Sequence, residues 1–154
     1  MMIRTLVTSL LLVAATALVS AGCGGGGGSE PLSKAEYAAK ADKVCAAAQA
    51  RGRNLDLSTT AKIAANGDEA RAVLDELATK VDDLEEPEEL QDAAKSFVDG
   101  LKAEANQFGD MTQAAKDGDT AKIQEIQGKL QSESAATSED ARFLGATGCA
   151  RLFG

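Results

Sequence analysis

Histidine and tryptophan are absent from the 154 residues, and aromatics are only 3% of them: Tyr37, Phe97, Phe108, Phe143 and Phe153. Without histidine there is no Ser-His-Asp triad, no Cys-His pair and no imidazole metal site. Proline occurs twice, at Pro31 and Pro87, so little interrupts a helix, and the alanine-rich remainder favours one. Basic residues are in deficit: 16 Lys plus Arg stand against 24 Asp plus Glu, a formal charge of −8. An acidic chain argues against nucleic acid as a partner and against direct adhesion to anionic headgroups. No P-loop or dinucleotide fingerprint is present. The five glycines at 24–28 lack the strand and the Lys-Ser/Thr pair that a phosphate cradle needs. No cofactor is expected.

What is present begins with an apolar run over residues 6–19, preceded by Arg4. It has the length of a signal-peptide core. It is shorter than the ~20 residues of a transmembrane helix. Small residues close it: Ser20, Ala21 and Gly22, then Cys23. Residues 1–23 resemble a bacterial lipoprotein signal, a lipobox, although the usual leucine three before the cysteine is Ser20 here. The resemblance implies removal of residues 1–22 and a diacylglyceryl group on Cys23. Val19-Ser20-Ala21 also fits an ordinary small-x-small cleavage site, which would free a soluble protein with a stray thiol. The glycines and Ser29 favour the lipid, because they make residues 23–31 a flexible tether between an anchor and a domain. The expected address is the extracytoplasmic face of a cell membrane. Removing residues 1–22, and Arg4 with them, takes the charge from −8 to −9 and leaves 132 residues, enough for one domain, over 32–154.

Hydrophobic periodicity divides that domain into helices. Ser33 and Glu36 form a capping box for a first helix reaching about Arg51, with Tyr37, Ala41, Val44, Cys45 and Ala48 on one face. A short helix over 59–66 is expected to stop at Gly67. Asp68 then caps a second long helix whose stripe is Ala70, Val73, Leu74, Leu77, Val81 and Leu84. Pro87 suits the first turn of a third helix. Its seam steps by threes and fours: Leu90, Ala94, Val98, Leu101, Ala105, Phe108, Met111 and Ala115. Gly118 offers a left-handed C-terminal position and Asp119 a cap for a fourth helix. That helix carries Ile123, Ile126, Leu130, Ala141 and Leu144. Its middle is weak: Ser134 and Thr137 fall on the seam, where they line a small cavity or bond the carbonyl four residues back. The reading is all-α: an antiparallel four-helix up-down bundle. The first helix is the weakest held, since alanine buries little.

Cys45 and Cys149 remain once Cys23 is acylated. Outside the cytoplasm disulfides persist. Cys45 lies ~18 Å along the first helix from Ser33, and an extended "GATGC" climbs ~16 Å back from Leu144. A disulfide between the two is expected, tying the first helix to a tail without a helix of its own; two reduced buried thiols are the alternative. The stretches "LSKAEYAAKADKVC", "DLEEPEELQ" and "ARFLGATGC" are similar to small uncharacterised helical lipoproteins of high-GC Gram-positive bacteria. That resemblance implies a helical domain with one disulfide and carries no functional residues.

Two candidates for chemistry follow. "DGD" at 117–119 starts like a calcium loop, but Ala121 and Gly128 stand where oxygen ligands are needed, so it reads as a helix corner. Residues 82–92 hold seven acids and no base. Asp82, Asp83, Glu85 and Glu86 fall at a helix C-terminus, where the dipole disfavours them, which makes them weak metal candidates beside the solvated-corner reading. No enzyme is expected: two carboxylates alone would suit a glycosidase, but a thin alanine-rich bundle shows no cleft. The expectation is a membrane-anchored lipoprotein serving as a binding or interaction module for an unknown protein or small molecule. The alternative is a small-ligand or lipid carrier using the bundle interior.

Overall fold

A first turn begins where its cap dictates. The Ser33 hydroxyl accepts from the Glu36 amide, and Glu36 returns a carboxylate oxygen to the Ser33 amide at 3.0 Å, satisfying two orphan donors. The computed structural model describes residues 32–154. The expectations for residues 1–31, the lipid on Cys23 included, lie outside them. The described residues are all-helical. The helices are α1 (Lys34–Gly52), α2 (Thr60–Asp82), α3 (Gln91–Asp117), α4 (Thr120–Phe143) and α5 (Thr147–Phe153), with a 3₁₀ turn at Glu88–Leu90 before α3. No helix among the described residues is long and apolar enough to cross a membrane.

Three boundaries differ from those the sequence suggests. Gly67 does not end a helix; α2 runs through it from Thr60. A glycine inside a helix costs about 1 kcal/mol, and packing offsets it. A β-carbon on Gly67 would stand 1.9 Å from Thr112 Oγ1, so only glycine lets α2 approach α3 this closely. The Thr112 hydroxyl folds back onto Phe108 O at 2.7 Å and stays satisfied. The same device joins α3 to α4: Gly100 faces Thr137, whose hydroxyl donates to Glu133 O at 3.1 Å. Pro87 precedes the 3₁₀ turn, and α3 starts only at Gln91. The third difference is at the C-terminus.

There the chain turns at Gly145 (φ 83°) and forms α5, a fifth helix where a four-helix reading had a bare tail. Seven residues do not hold a helix by propensity. Tertiary contacts hold it. Asp42 Oδ1 on α1 accepts from the amides of Gly148 and Cys149 at 2.7 and 3.0 Å, capping donors that have no intrahelical partner. Ser138 on α4 donates to Ala150 O at 2.9 Å. The disulfide Cys45–Cys149 is formed, with both residues buried. Phe153 meets Phe97 edge-to-face, ring centroids 6.3 Å apart.

Other expected corners are present. Gly118 is left-handed (φ 73°), and Asp119 accepts from the Lys122 amide at 2.9 Å. Arg51 ties the end of α1 to Glu69 and Glu76 on α2.

The apolar interior falls into two clusters. One gathers Tyr37, Cys45, Leu77, Phe97, Leu101 and Leu144 with their neighbours, where α1 and α5 pack onto the longer helices. The other gathers Ile63, Met111, Ala114, Ala115, Ile123 and Ile126 from α2, α3 and α4. The division follows from length: α1 stops at Gly52, and the buried residues of the second cluster come from α2, α3 and α4 alone.

Candidate functional site

The α3 stripe passes from one cluster to the other through residues 101, 104 and 108, at steps of three and four. The middle residue is Glu104, a carboxylate in a position the period reserves for the core. It is 3% exposed, and its Oε1 has no hydrogen-bond partner. Burial pushes its pKa up, the charge of Glu133 on α4 adds to that, and the hydroxyls of Thr137 and Ser134 act against it.

Glu104 lies on the wall of a cleft of about 420 Å³ at the junction of the two clusters. Apolar side chains of α2 make one side: Ala70, Val73, Leu74 and Leu77. Phe108 of α3 and Ser134 of α4 stand beside Glu104. Leu152 and Phe153 of α5 form a further side, and Leu55 and Leu57 of the segment joining α1 to α2 stand over it. At the end of α1, Arg53 donates to Gln49 Oε1 at 3.0 Å, and both line the cleft. The cleft lies where α1 stops at Gly52 while α2 and α3 run on. Its α5 side is held in place by the disulfide and by Asp42. Volume and lining are those of a small-molecule site: mostly apolar, with a few polar side chains, of which Glu104 is the enclosed acid.

One turn further along α3, Gln107 donates to Glu133, and its Oε1 is likewise buried without a partner. Gln107 is not on the cleft wall. The unmet groups in this part of the interior are thus both acceptors.

Of the seam hydroxyls, Ser134 lines the cleft and Thr137 does not; Thr137 bonds the carbonyl four residues back. The cleft also departs from a cavity between α3 and α4 alone, since α1, α2 and α5 contribute walls.

The acidic corner makes a separate, polar cleft of about 530 Å³. Asp82 and Glu86 line it, and Asp83 and Glu85 do not. Lysines share it: Lys102 bonds Asp82 at 3.2 Å and Lys95 bonds Asp99 at 2.5 Å. The Tyr37 phenol on its wall is pushed up to about 12 by burial, then by the charges of Glu86 and Asp82. Among the described residues, no three acids or cysteines are placed to hold a metal ion. The four candidates are not brought together because Asp82 ends α2 while the chain runs on through Glu85 and Glu86 to the 3₁₀ turn. Glu104, which the sequence reading passed over, is the acid that the fold encloses. Its signal was a charge three residues after Leu101 and four before Phe108, at helical spacing from both.

No protein-family model matches the chain, and neither curated proteins nor solved structures match it.

Proposed function

We propose that this chain is a lipoprotein, anchored through Cys23 to the extracytoplasmic face of a cell membrane, and that it binds a small, largely apolar molecule in the cleft beside Glu104. The cleft is the observation that carries the reading. Its volume of about 420 Å³ falls within the ~300–1,000 Å³ of small-ligand sites. A protein partner has less to recommend it: Phe143, 62% exposed, is a lone large apolar side chain on the described surface, and single residues do not make a docking patch. A hydrolase working with two carboxylates needs both on its cleft, and Glu104 is the one acid on this wall. The signal-like residues 1–22 and the glycine tether support the anchor. The disulfide supports an oxidising compartment.

The same reading takes α1 to α4 as an up-and-down antiparallel set, with α5 folded back along α1. Cross-helix pairs support it. Lys102 meets Asp82 while Lys116 meets Asp68 between α3 and α2, and Ser96 meets Asp140 while Gln107 meets Glu133 between α3 and α4. In each pair of helices one number rises as the other falls.

Native mass spectrometry of protein released gently from membranes should show a co-purified small molecule. Ala70→Phe, which fills the cleft from α2, should remove it. Retention of the same adduct by that variant would place the ligand elsewhere. Cys23→Ala should move the protein from the membrane fraction to the medium or leave an unprocessed precursor; normal processing with continued membrane attachment would refute the anchor.

A further inference from the structure

The cleft wall is mostly apolar, and its polar side chains are Gln49, Arg53, Glu104 and Ser134. Glu104 stands on that wall, and its Oε1 is enclosed without a hydrogen-bond partner. An enclosed acceptor of this kind is costly unless something donates to it. Resting on the ligand-binding reading above, we propose that the occupant is an apolar molecule bearing one cationic nitrogen, which pairs with the Glu104 carboxylate while its apolar part fills the rest of the cleft. Three observations favour a cation over a fatty acid. The unmet partner is an acceptor, which an anion does not satisfy. A second carboxylate, Glu133, acts on the same group. The whole chain carries −8, a field that draws cations and repels anions. Arg53, the one basic group on the wall, is already donating to Gln49.

Protonation sets the expected pH dependence. Glu104 holds its proton to higher pH than an exposed glutamate does. One charged group bears on it, Glu133 from α4; Arg53, elsewhere on the wall, is paired with Gln49. The α2 and α5 sides present only apolar side chains to the cleft. An alkylamine stays protonated over this range, as lysine does. Its affinity should therefore rise with pH as Glu104 ionises and then level off.

Three probes with one tail separate the possibilities: decylamine, decanol and decanoic acid, each titrated calorimetrically into the intact folded domain below its micellar concentration. Decylamine should bind wild type at least roughly tenfold more tightly than decanol, the scale of a charge-assisted hydrogen bond. Glu104→Gln should erase that preference while still binding decanol. Equal binding of amine and alcohol to wild type would overturn the cationic-nitrogen proposal and leave the cleft as an apolar site. Tighter binding of decanoic acid, or a preference for the amine that survives Glu104→Gln, would also overturn it. An amine affinity that falls with rising pH would do the same and needs no variant. Failure of all three probes to bind would remove the ligand-binding reading itself.

Discussion

The disulfide is the constraint whose removal should be most informative. Cys45 and Cys149 are separated by 104 positions, and closing a loop of that length stabilises the folded state by up to about 4.7 kcal/mol in the chain-entropy model. Observed losses on removing a native bridge from a small secreted domain are ~2–5 kcal/mol. A domain of this size has a total stability of order 5–15 kcal/mol, so a substantial share of it is at stake. Cys45→Ala with Cys149→Ala is the cleaner perturbation. Both sites are buried, and serine would add hydroxyls needing partners. Urea unfolding followed by circular dichroism should show the midpoint fall and the slope rise, because the unfolded chain expands when its loop is opened. The loss should also be uneven. In α1 the buried residues are Tyr37, Ala41 and Cys45, and α5 is a seven-residue helix burying Cys149 and Ala150. Helix α3 instead buries side chains from Ala94 to Ala115. Amide exchange in the double variant should quicken first in α1 and α5, with α3 protected longest. Exchange that quickens equally in every helix would refute the claim that α1 and α5 depend on the bridge, and two titratable thiols in folded, unreduced protein would refute the bridge.

Glu104→Leu should stabilise the ligand-free protein at neutral pH by about 1–3 kcal/mol, because it replaces an unmet buried carboxyl by a side chain the cleft suits. An exposed glutamate titrates near 4.5 and Glu104 above that, so the folded state holds the extra proton. The penalty is absent below the unfolded value and grows as pH climbs through the folded one. The variant's advantage in thermal melts should therefore vanish as pH falls toward 4.5; an advantage constant with pH would contradict the assignment. Gly67→Ala should destabilise by ~1–3 kcal/mol despite its better helix propensity, since the new β-carbon meets Thr112. Thr112→Ala should recover most of that loss in a double-mutant cycle, whereas additive costs would show that the two residues do not share the contact.

Much of the helical framework was legible because its signals are local. The Ser33 box, the left-handed Gly118, the Asp119 cap and the seam of α3 each depend on residues a few positions apart, and each is formed. The cysteine pairing was legible for a different reason: with one cysteine assigned to the lipid, two remain, and the helix lengths allow them to meet. Gly67 was misread because the rule for glycine in a helix is a local cost, while the benefit comes from Thr112, which is remote in sequence. Helix α5 was missed for the same reason: its cap, Asp42, comes from α1.

The sequence alone determined that this chain is helical, acidic and free of histidine chemistry. It also shows an apolar run over residues 6–19 and five glycines at 24–28. Those properties reside in composition and in short-range periodicity. Where the interior opens was decided only by the tertiary structure. The cleft lies where α1 ends at Gly52 while α2, α3 and α4 continue. Glu104 matters because that end point leaves its carboxyl enclosed and unmet. The seam read along α3 ran through Ala105 and passed Glu104 by, and which side chains surround position 104 depends on how the other helices pack around it, which no local pattern carries.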